Sequence, residues 1–278
     1  DKFNKNMKKS LNSFLNAPIK SVKHSTYFNV YDKLFSKYID KEFTFVEIGI
    51  FQGGSLFMWR DYFGDKARII GIDINEGAKK WQKEGFEIFI GSQSDPKFWE
   101  NFFNEVGNVD VILDDGGHEF DHQIITCESV IPHINDGGLL VIEDTHTSYM
   151  SVFGGPSNKS FISYAKNIID GINFRYDHFK NKKETEQEIS SVQFFESFVA
   201  FEIDRKISTL DSTWIENNGE PMPDEYFVIN KSFLRKTISS IIANNNTVKN
   251  FLILLHRHIL GIKQRFIHFF KLRKFFKY

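Results

Sequence analysis

From Phe43 to about Ile142, short apolar runs alternate with longer stretches whose apolar residues recur at three- and four-residue steps. That alternation predicts βαβ units and a parallel sheet. Four runs read as buried strands, Phe43 to Ile48, Ala67 to Ile72, Val109 to Leu113 and Gly138 to Ile142, and Phe86 to Ile90 makes a fifth. Helices are expected between them over 54–63, 76–84, 95–106 and 119–132, with Pro96 suited to a first helical turn. Right-handed crossovers place the strand C-termini along one edge, where ligands bind in open α/β sheets. Further on, Ser160 to Ile169 predicts another helix, and Ser191 to Ile203 two strands of aromatic and β-branched residues. The charged interval 177–190 reads as a surface loop or short helix, and 205–230, with Gly219, Pro221 and Pro223, as irregular. The expected fold class is α/β: a doubly wound, mostly parallel Rossmann-like sheet over 41–204. It is preceded by an N-terminal helical segment over 1–40 and followed by an irregular or helical extension over 205–247 and a basic helical tail over 248–278.

Composition changes this picture in two places. With 278 residues and no run near the roughly 18 to 20 uncharged apolar residues that span a bilayer, the chain is expected to be soluble. The polar start and the lone Cys127 point to a reducing cytoplasm. Charge is uneven: after Glu225 there are eleven Lys and Arg and no Asp or Glu, so residues 226–278 carry +11 and, against a whole-chain charge of −1, residues 1–225 carry −12. Within that basic tail Leu252, Leu255, Ile259, Ile262, Phe266, Phe269 and Phe276 recur at helical steps. A basic amphipathic helix of this kind suits an anionic membrane surface, which would make the chain peripheral at the inner face; packing on the domain or on a second subunit is the alternative. No nucleic-acid module is recognisable, and none is expected as a partner.

The candidate chemistry lies at the predicted strand ends. After the first strand comes Glu47-Ile48-Gly49-Ile50-Phe51-Gln52-Gly53-Gly54-Ser55, a glycine-rich turn into a helix that brings backbone N–H groups close to a ligand. Its spacing is not the Gly-x-Gly-x-x-Gly that wraps a pyrophosphate, and Glu47 would repel one. Asp73 closes the second strand where a carboxylate can accept hydrogen bonds from ribose hydroxyls. Together they suit a nucleoside cofactor with positive charge and no phosphate bridge, and S-adenosylmethionine fits that description. The fourth strand runs into Asp114-Asp115-Gly116-Gly117-His118 and the fifth into Glu143-Asp144-Thr145-His146. Carboxylates gathered at neighbouring exits repel one another unless neutralised, and a hard cation such as Mg2+ does so. His118 is placed to take a proton near neutral pH. A nicotinamide-dependent oxidoreductase would require the missing dinucleotide turn, and a metal-dependent hydrolase would not need residues 47–55 or Asp73.

These motifs, with Trp59, Gly71 to Asp73, Gly91-Ser92-Gln93-Ser94-Asp95, Asp114 to His118 and Glu143 to Tyr149, resemble the metal-dependent sugar O-methyltransferases of macrolide biosynthesis. More distantly they resemble the cephalosporin hydroxylase and rhamnosyl O-methyltransferase group, with weaker echoes at Lys23 to Tyr31. The resemblance implies the class I methyltransferase fold and Mg2+ or another divalent cation at Asp115, Glu143 and Asp144. It implies His118 as general base beside Asp115, and S-adenosylmethionine lined by Glu47, Gly49, Gly53, Ser55, Asp73, Gln93 and Asp114. It further implies a sugar or glycan substrate, of bacterial surface polysaccharide or a glycosylated natural product, contacted by His146 and Tyr149, and a homo-oligomer. Ser92, Gly117 and Met150 depart from the residues usual at their positions.

Overall fold

The computed structural model describes residues 8–174, 187–213, 215–220 and 246–272. Strands form at β1 (Phe43–Ile48), β2 (Ala67–Asp73), β3 (Glu87–Ile90), β4 (Val109–Asp114), β5 (Ile134–Glu143), β6 (Ile189–Phe195) and β7 (Phe198–Ile203). They make one seven-stranded sheet in the order β3-β2-β1-β4-β5-β7-β6. The first five are parallel, and β7 runs antiparallel to β5 and to β6. The helices are α1 (Lys9–Asn16), α2 (Tyr27–Phe35), α3 (Gly54–Phe63), α4 (Pro96–Val106), α5 (Phe120–Val130), α6 (Phe161–Asn173), the short α7 (Arg205–Ser208) and α8 (Asn246–Leu272). Two compact units are distinguished, residues 1–213 and 214–278, and the sheet belongs to the first.

Strand alternation divides the interior in two. Phe45, Val111, Leu113, Val141 and Phe198 face a core with residues of α2 and α3, including Tyr31, Phe35, Trp59 and Phe63. Val46, Ile48, Ile112, Leu140 and Ile142 face the opposite core with Trp99, Phe102, Cys127, Val130 and Phe161. Runs of consecutive apolar residues are therefore required, because both faces of every central strand are covered.

The differences from the expected elements have local causes. The amphipathic stretch 76–84 is a 3-10 run, opened by Asn75, whose side chain accepts from the backbone N–H of Gly77, and closed at Gly85. Helix α5 stops at Val130 and gives way to a 3-10 turn over Ile131–His133, since Pro132 has no backbone N–H with which to continue the α-helical ladder. Strand β5 starts at Ile134, earlier than expected, through an irregular register against β4. Much of the interval 177–190 and the residues 221–230 lie outside the described residues.

Register sets the site. Ile48 pairs with Asp114, and Asp114 with Ile142, so the ends of β1, β4 and β5 form one row across the sheet. One residue beyond it, Asp115 and Glu143 emerge side by side, on the face that α2 covers.

Candidate functional site

The turn after β1 is held against the end of β4. Gly49 has φ +83°, and a Cβ there would lie 2.2 Å from the backbone oxygen of Asp115, so no larger residue fits without moving one strand exit from the other. Gly53, at φ +89°, opens α3 in a left-handed conformation against the indole of Trp81. Asp73 Oδ2 accepts from the N–H of Phe51 and Oδ1 from that of Asn75, tying the turn to the end of β2. A cavity of about 680 Å3 lies here, lined among others by Gly49, Ser55, Asp73, Gln93, Asp115 and His118.

Three residues expected to touch a cofactor sit behind this wall. Glu47 is fully buried: Oε2 accepts from Ser55 Oγ at 2.7 Å and Oε1 from Trp59 Nε1 at 3.0 Å. It is not among the residues lining the cavity, because the alternation that faces Phe45 inward also faces Glu47 inward. Burial pushes its carboxyl up to about 7, against the opposing charge of Lys23. Asp114 is buried as well and anchors Gln93, whose Nε2 donates to both of its oxygens at 3.0 and 2.8 Å. Gly53 also lies off the lining and shapes the turn instead. Gln93 keeps its place on the wall, with Oε1 accepting from the N–H of Gly117 at 2.7 Å. His122 joins the wall, and its Nδ1 finds no hydrogen-bond partner among the described residues.

The acids meet as the register requires. Asp115, His118 and Asp144 are half-buried, and one ligand atom from each lies within 4.8 Å of the others, a spacing that can hold a metal ion. His118 Nε2 stands 3.5 Å from Asp144 Oδ2. Asp144 has φ +57°, a left-handed backbone conformation, and its side chain meets Tyr27 and His118. Glu143 is nearer the core: Lys23 Nζ donates to its Oε1 at 2.8 Å and Tyr31 Oη to its Oε2 at 2.7 Å. Lys23 also donates to Asp115, and Tyr27 Oη to Asp144. Burial favours a neutral amine at Lys23 but is outweighed by Glu143, Asp115 and Glu47, so the group titrates well above its ordinary value. Burial also raises the carboxyl of Glu143, with Lys23 opposing.

Lys23, Tyr27 and Tyr31 are neighbours of the acids to which the sequence assigned no role beyond a weak family echo over Lys23 to Tyr31. Their four-residue steps were visible, but their partners lie 92 to 120 positions away along the chain. A second cleft, about 550 Å3, lies beyond Tyr27, lined by His24, His146, Tyr149, Lys166, Phe194 and Ser197 among others. His146 Nδ1 shares a 2.9 Å hydrogen bond with Ser197 Oγ and stands 3.8 Å from Asp144 Oδ1; Tyr149 is 61% exposed on the cleft wall.

The chain is similar to known methyltransferases in sequence and in fold. The sequence profile of a family described as "Methyltransferase domain" matches residues 46–145. The 8-demethyl-8-alpha-L-rhamnosyl tetracenomycin-C 2'-O-methyltransferase of Streptomyces olivaceus is 31% identical over 157 residues, covering 53% of this chain and 41% of that protein. Demethylmacrocin O-methyltransferase of Streptomyces fradiae is 31% identical over 154 residues, 51% of this chain and 38% of its own length. The chain thus spans about two fifths of the length of these relatives. Among solved structures, MycE methyltransferase from the mycinamycin biosynthetic pathway, in complex with Mg, SAH and mycinamycin VI, superposes with a TM-score of 0.65 at 24% identity, over 76% of this chain and 56% of that one. Residues 46–145 therefore match a methyltransferase-domain profile, and the sheet around them has the fold of the MycE structure.

Proposed function

We propose that the chain moves the methyl group of S-adenosylmethionine to a sugar hydroxyl, with a divalent cation such as Mg2+ at the acid cluster. One observation carries this reading: Asp115 and His118 line the same cavity as Gly49, Asp73 and Gln93. A hydroxyl brought to the acids therefore stands against whatever the glycine turn holds. The names of the relatives, which are sugar O-methyltransferases, and the Mg and SAH of the solved MycE complex support it.

The residues present fit both groups. Gly49 lets the turn close against the end of β4 beside the cavity, where a Cβ would strike the Asp115 backbone, and Asp73 offers carboxylate lone pairs to ribose hydroxyls. Asp115 and Asp144 supply the hard oxygen donors a small dication prefers, with His118 in reach and Glu143 one position deeper. A cation bound there supplies Lewis acidity that makes a hydroxyl easier to deprotonate.

The chain's own residues do the remaining work. His118 accepts the proton of the attacking hydroxyl, held by Asp144 at the rim of the cavity. Tyr149 and Phe194 give the second cleft an aromatic face for a sugar ring, and His146 and Lys166 give it polar groups for hydroxyls. Ser55 and Trp59 keep Glu47 fixed beneath the turn. Calorimetry with S-adenosylmethionine against NAD tests the core of this reading: the methyl donor is expected to bind and NAD not, and tight NAD binding without a response to the methyl donor would overturn it.

The tail bears on where the acceptor lies. Along α8 Ile259, Ile262, Phe266 and Phe269 are exposed together with Lys263, Arg265 and Lys271, and no helix among the described residues is long and apolar enough to cross a membrane. This combination supports a peripheral place on an anionic membrane at the cytoplasmic face, with a surface glycan precursor as acceptor. Deleting residues 248–278 is expected to abolish sedimentation with anionic liposomes; unchanged sedimentation would refute the membrane role. A homo-oligomer belongs to the same proposal, and light scattering of the full chain at a monomer mass would remove it.

A further inference from the structure

The acid cluster contains a cation of its own that the proposed reaction does not use. Lys23 has a side chain 6% exposed, and its ammonium bridges Asp115 and Glu143. The ring of Tyr31 lies 5.9 Å away, face toward the charge, while Tyr31 Oη binds Glu143 from the other side. Tyr27, one helical turn earlier, donates to Asp144. Residues 23, 27 and 31 thus present one polar head each to the three acids. The segment from Lys23 through the start of α2 is a built partner of the cluster.

Burying an ammonium is costly unless anions repay it, and breaking a buried pair leaves an uncompensated charge. Two of the three carboxylates repay Lys23 directly. Fully ionised, Asp115, Glu143 and Asp144 would bear three negative charges; Lys23 reduces the sum to two, the charge a divalent cation neutralises. A fixed positive charge this close also repels any metal ion at Asp115.

We infer that Lys23 is the internal counter-charge of the acid cluster and sets its affinity for divalent cations, acting through Asp115 and Glu143 as a positioning residue. This rests on the reading of the cluster as a cation site. With Lys23 in place the cluster binds a dication weakly enough to exchange it; without that charge it binds the same ion more tightly and leans on it for stability.

The test is Mn2+ binding to the full chain, read by the electron paramagnetic resonance of free Mn2+ and by the rise in Tm that saturating Mn2+ produces. Lys23→Met should lower the Mn2+ Kd at least tenfold and enlarge the metal-induced rise in Tm. Lys23→Arg, which keeps the charge, should stay within about threefold of the parent Kd. Lys23→Gln is a second neutral variant that can still donate to one acid, and it must tighten binding as Lys23→Met does. If a neutral variant loses its near-ultraviolet circular dichroism in chelator, Mn2+ must restore the signal below the parent Kd; failure to restore it overturns the inference. Equal or weaker binding by both neutral variants overturns the inference and leaves the cation site standing. No Mn2+ uptake by the parent protein at millimolar concentration overturns both.

Discussion

The two halves of the ligand edge are built on opposite plans. On the side of the glycine turn, charges are settled within the protein: Glu47 is held by Ser55 and Trp59, Asp114 by Gln93 and Gly116, and Asp73 by two backbone N–H groups. On the acid side Asp115, Asp144 and His118 stay half-buried, and Asp115 and His118 line the cavity. There the balance depends on Lys23, Tyr27 and Tyr31, brought from the N-terminal segment. A satisfied network makes a rigid wall with a fixed shape, whereas a cluster with charge left over can take a cation and pass a proton.

Substitutions should separate the two plans. The largest effect is expected for Asp115→Asn, which should lower methyl transfer by about 10³-fold while leaving S-adenosylmethionine affinity intact, because only the acid side is touched. Calorimetry beside a turnover assay checks it, and lost cofactor affinity would mean the two sides are not separable. His118→Ala should cost about 10²-fold. A turnover assay beside cofactor calorimetry decides, and undiminished transfer would remove His118 as the base.

A smaller effect should strike both sides at once. Gly49→Ala introduces strain at φ +83° and a contact with the Asp115 backbone oxygen, and is expected to destabilise by about 1–3 kcal/mol in denaturant melts. Both cofactor and Mn2+ binding should weaken with it. The smallest change is expected for Glu47→Gln. In the folded chain this carboxyl is raised from 4.5 to about 7, so the protonated form is the one the fold prefers. Stability tied to Glu47 is therefore fully present below about 4.5 and is lost as pH climbs through about 7. The glutamine variant should flatten that decline, seen as a Tm that varies less across this window than in the parent.

Legibility in the sequence followed the same division. The strand ends and the Gly49 to Ser55 turn could be read because they are local: apolar runs, a glycine cluster, and a helix over 54–63 found at those bounds. The meeting of Asp115 with Glu143 was also legible, since adjacent parallel strands with exits in one row leave little freedom. Glu47 was read as a cofactor contact because an acid at a strand end suggests one, whereas the strand's alternation points it to Ser55 and Trp59 of α3. Lys23 to Tyr31 gave only a weak echo of the family resemblance, with no role for any one of the three side chains. No local rule joins a residue in the segment before α2 to acids more than ninety positions later, and that joining is a property of the packed fold.

The central claim is best tested by transfer of a labelled methyl group from S-adenosylmethionine to a panel of glycosides, run once with Mg2+ and once with EDTA. Label is expected in the sugar with Mg2+ and at background with EDTA; transfer undiminished by EDTA would contradict the account of the acid cluster as a cation site.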